Sequence, residues 1–286
     1  GMAINAVLMG AVLPNLGKPT PQHLRYAEAL RNSFSEKILA ATRESLDATG
    51  LVYAMLLSPD DALRAKQFTE LDQRAGPGVG KTTAALWPEV SLIVSRARLP
   101  LVNLALPALR QLGPDEFDQF SQALQWLIES DGQLDIFEFV LQKIIRRHLV
   151  AQKGERPPPS VKFETLEPLV RDCSVVFSAL ANASSSKAGE VEKAFRIGAP
   201  HLGAKTDGLQ LLPREQSGLE QLGTALDRLA LAAPQIKKSL LAACVHIVGA
   251  DGLIQEREAE LLRAVADTLD CPIPPFVENI SDRKEN

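Results

Sequence analysis

The sharpest chemical signal in the chain is AGPGVGKT, Ala75 to Thr82, a relaxed phosphate-loop pattern in which alanine stands for the first glycine. In such a loop successive backbone amides and Lys81 would cradle phosphates, and Thr82 would face magnesium. That chemistry needs a strand before the loop and a helix after it to aim the donors. The upstream residues AKQFTELDQRA are polar with a helical pattern, no later apolar strand ends in an aspartate, and Pro88 limits the downstream segment to a short helix. The loop is therefore expected to be a turn between helices with Lys81 in solvent.

A second signal occurs twice, as ESDGQLDIFE from Glu129 to Glu138 and GADGLIQERE from Gly249 to Glu258. If Gly132 and Gly252 took the sixth position of a calcium loop, Glu138 and Glu258 would fall at the twelfth. The first ligand would then be Leu127 in one copy and Ile247 in the other, and the third becomes Gly249 in the second. Asp131, Glu138, Asp251 and Glu258 remain as acidic candidates for weak divalent-ion binding. The structural reading is that the glycines make sharp turns and the carboxylates satisfy amides at the next helix start, with Asp135 and Glu138 forming a capping box. Gln255 is the poorer cap at the equivalent place.

The four histidines, His23, His148, His201 and His246, form no HExxH pair, and His246 lies two residues from Cys244, so the two do not share a helical face. The three cysteines, Cys173, Cys244 and Cys271, make no CxxC pair and suit a reducing compartment. The serine-rich run ANASSSKAGE, residues 181 to 190, holds no acid-base partner and reads as a helix connection. No catalytic constellation and no cofactor site emerges from these residues.

The elements that carry these residues read as helices. Aromatic residues are only 5% of the chain, while alanine and leucine are abundant and β-branched runs are scarce, which favours helix packing over sheets. With 286 residues a sizeable core is available in two domains, and the formal charge of -4 without a basic stripe argues against a nucleic acid partner. Ser58-Pro59-Asp60-Asp61 combines an N-cap hydroxyl, a first-turn proline and two acids. Residues 99–112 are nearly apolar, and Pro107 is expected to bend or divide any helix there. After Gly113-Pro114, the residues Phe117, Phe120, Leu124, Leu127 and Ile128 line one face, and a helix opening near Asp135 offers Ile136, Val140, Leu141, Ile144 and Ile145 for packing. In the second half, periodic segments fall at about 164–182, 187–197, 215–232, 234–248 and 256–269, with HLGAKTDGLQLLPREQ as a loop.

These segments divide the chain into an apolar segment at 1–19, a first helical domain at 20–152, a proline-rich linker KGERPPPS at 153–160, a second helical domain at 161–278 and a polar tail at 279–286. The opening apolar run is about eleven residues, short of the roughly 18 needed to cross a bilayer, so it is expected to dock as a helix; Gly1 before Met2 reads as an added residue. Residues 107–149 align without a gap on 227–269, with eight identities in 43 positions that include Pro114 with Pro234, Asp131-Gly132 with Asp251-Gly252 and Glu138 with Glu258. Each copy reads as a proline-opened apolar helix, an Asp-Gly turn and a second helix, the pattern of a duplicated hairpin. The expected fold class is all-α, two divergent helical repeats forming tandem bundles.

The runs GKPTPQHLRYAEALRNSF, LDATGLVYAMLLSPDDALRAKQF and ARLPLVNLALPALRQLGPDEFDQF, with the later ADGLIQEREAELLRAVADTLDCPIPP, resemble the region after the catalytic domain of large bacterial membrane zinc metallopeptidases broadly related to the HtpX and CAAX-prenyl-type proteases. The Asp-Gly helical units resemble TerB-like tellurite-resistance modules. The resemblance implies tandem TerB-like bundles at the cytoplasmic face of the inner membrane, attached to a peptidase domain that holds the zinc and the HExxH motif absent here. It also implies an accessory role toward that peptidase or its protein substrate, without catalysis or a membrane span in this region. A TerB-like ion-responsive stress module, using Asp131, Glu138, Asp251 and Glu258, is the alternative, and a nucleotide-dependent hydrolase the third.

Overall fold

A computed structural model describes residues 28–76, 78–132, 134–150, 161–203, 208–252 and 254–271. The expected N-terminal segment, linker and polar tail lie outside these residues. Within them every regular element is helical, apart from a single bridge pairing Phe163 with Ala232. The contacts gather the chain into two compact units, one within Glu28–Arg156 and the other containing Pro157–Asn286.

Among the described residues, a helical stretch at 28–32 is followed in the first unit by α1 (Glu36–Ala41), α2 (Ser45–Leu56), α3 (Asp61–Arg74), α4 (Val79–Val90), α5 (Ser95–Leu109), α6 (Pro114–Glu129) and α7 (Ile136–Ile145), and then a π-helical turn at Arg146–Val150. Helix α2 is the axis. Its nine residues from Ala48 to Leu56 are all buried, which requires neighbours on every side. It packs on α4, α5 and α6. The approach to α4 depends on Gly50, where a Cβ would stand 2.8 Å from Thr82 Cγ2 and 3.2 Å from the Thr83 amide. Tyr53 crosses to α6, donating its hydroxyl to the Phe120 carbonyl at 3.2 Å with the two rings 5.7 Å apart.

Two expectations about boundaries are corrected here. The cap of α3 is Asp60, whose carboxylate accepts the Leu63 amide at 2.8 Å, while Ser58 Oγ accepts the Asp60 amide at 3.1 Å. The helix therefore starts two residues later than a Ser58 cap would place it. Pro107 does not divide the apolar segment: α5 runs through both Pro100 and Pro107. Asn103 and Pro107 are both exposed, so the carbonyl that loses its i+4 donor to proline faces water. Pro88 likewise lies inside α4, in its last turn.

The second unit opens with a 3₁₀ turn at Glu167–Leu169 and continues through α8 (Val170–Ser184), α9 (Ala188–Gly198), 3₁₀ turns at Ala199–Leu202 and Arg214–Gln216, α10 (Leu219–Leu229), α11 (Pro234–Val248) and α12 (Glu256–Thr268). Helix α8 is again an axis, buried over the nine residues Cys173 to Ala181 and packed by α9, α10, α11 and α12. Its hydroxyls also hold the loop after α9: the amides of Gln210 and Leu212 donate to Ser174 Oγ at 3.1 Å and Ser178 Oγ at 2.8 Å. The serine-rich run ends α8 and leaves only residues 185–187 as the connection to α9.

The later part of each unit follows the alignment in sequence. Pro114 opens α6 and Pro234 opens α11 as first-turn residues, and each helix leads through an Asp-Gly turn into α7 or α12. Gly132 has φ +75° and Gly252 has φ +80°, and a Cβ at either would meet nothing within 4 Å. Glycine is thus required by backbone conformation at both turns and by crowding at neither.

Candidate functional site

The repeated turns decide where their acidic residues go. Asp131 and Asp251 are exposed, whereas Glu138 is 8% and Glu258 1% exposed. In the first unit the capping box is complete: Asp135 accepts the Glu138 amide at 2.7 Å, and Glu138 Oε2 accepts the Asp135 amide at 2.9 Å. In the second unit Glu258 Oε2 accepts the Gln255 amide at 2.5 Å, but the Gln255 side chain makes no cap bond and donates to the Ser184 carbonyl at 3.4 Å. Burial, followed by the nearby Asp135 and Asp131 charges, raises the Glu138 carboxyl to about 7 despite the amide it accepts. Burial also raises Glu258, assisted by Asp251. Each conserved-spacing pair thus separates into a solvent-facing aspartate and a buried helix-capping glutamate. Among the described residues no group of three or more histidine, cysteine, aspartate or glutamate side chains is arranged to hold a metal.

Glu138 also borders an open pocket of about 380 Å³ in the first unit. The end of α2 and the following Leu57-Ser58-Pro59 form one wall, Gln67 of α3 and Trp87 and Val90 of α4 another, and Arg98, Leu127, Ser130, Asp131, Asp135 and Phe137 complete it. Several polar groups in this lining are already tied to one another. Gln67 Oε1 accepts the Ser58 amide at 2.8 Å and its Nε2 donates to Ser130 Oγ at 2.7 Å, which in turn donates to the Leu127 carbonyl at 2.6 Å. This chain fixes the end of α2 against α3 and α6, and explains why Gln67 is buried. Trp87 is braced from outside by the Arg64 guanidinium, 4.9 Å from the ring centre.

Arg98 is the exception. Its guanidinium lies 5.6 Å from the centre of the Phe137 ring, and its Nε is buried with no acceptor. It makes no ion pair among the described residues. The pocket lining therefore combines a guanidinium with no acid partner and a buried, unbonded Nε, the apolar Leu56, Val90 and Leu127, and the carboxyls of Asp131, Asp135 and Glu138. Pockets of this kind, mostly apolar with a few convergent polar groups and a perturbed carboxyl, are the usual form of ligand sites.

The remaining residues singled out in the sequence lie elsewhere. AGPGVGKT joins two helices: α3 precedes it, Gly76 and Gly78 take left-handed φ values of +86° and +89°, and Lys81 is exposed in the first turn of α4. Its third glycine serves packing, since a Cβ on Gly80 would stand 2.8 Å from Asp72 Cγ. His201 and His246 of the second unit stack with ring centres 3.4 Å apart and planes 8° from parallel. Burial and then the His201 charge lower His246. Cys173 and Cys244 are buried thiols, Cys173 pushed up to about 12 by burial, so neither is a ready nucleophile. The pocket and Arg98 had no sequence signal, because their residues come from helices far apart in the chain.

No family model, curated protein or solved structure matches this chain. No described helix is long and apolar enough to cross a membrane.

Proposed function

We propose that this chain is a non-catalytic recognition region, in which the pocket of the first unit engages a segment of a protein partner. The observation that carries this reading is the pocket's combination of apolar Leu56, Val90 and Leu127, the aromatic Trp87 and Phe137, and an Arg98 that has no acid partner and a buried Nε without an acceptor. The polar groups around it are arranged as binding groups: no hydroxyl or thiol there is paired with a base for nucleophilic attack. The resemblance to the region following the catalytic domain of membrane zinc metallopeptidases supplies the partner class, an attached or associated peptidase domain holding zinc, or that enzyme's protein substrate. Tandem TerB-like bundles at the cytoplasmic face of the inner membrane are the architecture this reading implies. It is supported by the recurrence of a left-handed glycine and a buried capping glutamate at the same place in both units.

A photo-crosslinking residue at Ser91, exposed at the pocket rim, tests the proposal in the native cell, with the same residue at exposed Lys187 of the other unit as control. A discrete adduct from position 91, identified as a membrane zinc peptidase or a protein it cleaves, is the expected result. Absence of any adduct at 91, or identical adducts from 187, refutes it.

A further inference from the structure

We infer that the ligand read by the first unit's pocket is a peptide carboxylate, held by Arg98 while the adjoining apolar side chain enters between Trp87 and Phe137. This inference rests on the recognition role proposed above and names its chemistry.

Three observations lead to it. A guanidinium is always charged at ordinary pH and presents a planar fork of donors that matches a carboxylate bidentately. Arg98 leaves that fork without an acid and its Nε without any acceptor, while Phe137 stabilises the cation from the ring face. The neighbouring carboxyls are differently employed: Asp135 and Glu138 are committed to each other's amides across the α7 start, and Glu138 is raised toward the neutral form. Asp131 is exposed to water, whereas Arg98 pairs with none of the lining carboxyls, so the group that completes it is an anion. The second observation is size. A volume of about 380 Å³ is near the lower end of ligand pockets, roughly 300–1,000 Å³, which admits the end of an extended chain and excludes a folded element. The third is composition. Leu56, Val90 and Leu127 line the same pocket as the guanidinium, so the favoured anion carries a hydrophobic group next to its charge, unlike a free phosphate.

A peptide carboxylate can be a chain terminus or an acidic side chain, and the two are separable with defined probes. Short alanine-leucine peptides with a free C-terminus, the same peptides amidated, and amidated peptides carrying one internal aspartate are titrated into the full chain, following calorimetric heat and the tryptophan emission to which Trp87 contributes from the pocket lining. The expected result is saturable binding of the free-terminus peptide, weakened about tenfold by amidation and by at least as much in Arg98→Gln, with Arg98→Lys intermediate. Equal binding of the internal-aspartate peptide assigns the carboxylate to a side chain and keeps the inference. Circular dichroism and tryptophan-monitored unfolding establish that Arg98→Gln remains folded; if it does not, charge reversal at the ligand end, a free-terminus peptide against its C-terminal amine analogue, makes the same comparison on the unaltered protein. Equal affinity for free and amidated peptides, or no saturable binding of any of them, overturns the inference. A peptidase-derived adduct at position 91 together with indifference to Arg98 leaves the recognition role standing and removes its carboxylate chemistry.

Discussion

Glu138→Gln should stabilise the first unit at pH 8 and leave it nearly unchanged at pH 4.5. Glu138 titrates near 7 in the folded protein against 4.5 in an ordinary setting, so the folded state binds its proton more tightly than the unfolded state. The sign follows from linkage: stability is greatest below pH 4.5, declines as pH rises through 7, and is level above. At about 1.4 kcal/mol per pH unit the full lift corresponds to about 3 kcal/mol. The carboxyl borders an open pocket where water screens it, so the realised difference is about 1–2 kcal/mol. Glutamine keeps an oxygen for the Asp135 amide, preserving the 2.9 Å back-bond of the capping box while removing the buried charge. Glu138→Ala removes the charge and loses the bond as well, so it should be about 1 kcal/mol or more less stable than Glu138→Gln at every pH. The chain's two tryptophans, Trp87 and Trp126, both belong to the first unit, so urea unfolding followed by tryptophan emission reads this unit without the other. A Glu138→Gln variant less stable than its parent at pH 8, with the deficit growing as pH rises, would show that the carboxylate charge supports the α7 start and that desolvation is not the dominant effect.

Three further predictions concern the second unit and the turns. At Gly198 a Cβ would overlap Ile247 Cγ1 and stand 2.8 Å from the Ala243 carbonyl, so Gly198→Ala should lose up to about 2 kcal/mol, overpacking of about 1–3 less a helix-propensity gain of about 1. All three cysteines lie in this unit and two are buried, so pulsed thiol labelling of Cys173 and Cys244 in urea measures it; a stabilised variant refutes the close approach of α9 to α11. Gly132→Ala, where φ is +75° but nothing crowds the site, should cost only about 1 kcal/mol from backbone strain, and Gly132→Asn less. His246 should titrate below 6.5 by ring proton shift and move upward in His201→Gln; its lowered value means that stability present above pH 6.5 is lost as pH falls toward the folded value. A ring titrating at or above 6.5 in the parent contradicts that account.

Much of the helical layout was legible because most helices pack one face. The predicted segments at 187–197, 234–248 and 256–269 differ by a residue or so from α9, α11 and α12, whose apolar residues repeat with helical spacing. Helix α2 gave no such pattern, since its nine consecutive buried residues leave no polar face to set a phase, whereas α8 was largely covered by the segment at 164–182 although it too is buried over nine residues. In the sequence Pro107 suggests a bend or division, because sequence carries no information on which carbonyl faces water. The close approaches of Gly50, Gly80 and Gly198 were equally silent, each depending on a partner helix distant in the chain.

The acidic candidates show how far spacing can carry a chemical reading. The recurrence of Asp-Gly and a glutamate six residues later was visible, and so was the box joining Asp135 to Glu138, because both are local patterns. What was not visible is that burial would separate the two acids of each copy, placing Glu138 and Glu258 under the helix start and leaving Asp131 and Asp251 in water. A capping glutamate drawn inward acquires a proton affinity that an exposed one lacks, since desolvation acts on the charged form alone. In the first unit the same inward turn places that carboxyl in the lining of a pocket that also holds Arg98, an arginine with no acid partner. Pocket polarity is then a product of packing: α7 supplies the carboxyl through its cap, α5 supplies Arg98, and Phe137 lies one residue from Glu138 to stack beneath the guanidinium. Replacing the glutamate therefore alters helix stability and pocket charge together. Replacing Arg98 alters the charge without touching the cap, and for that reason it is the more direct probe of what the pocket binds.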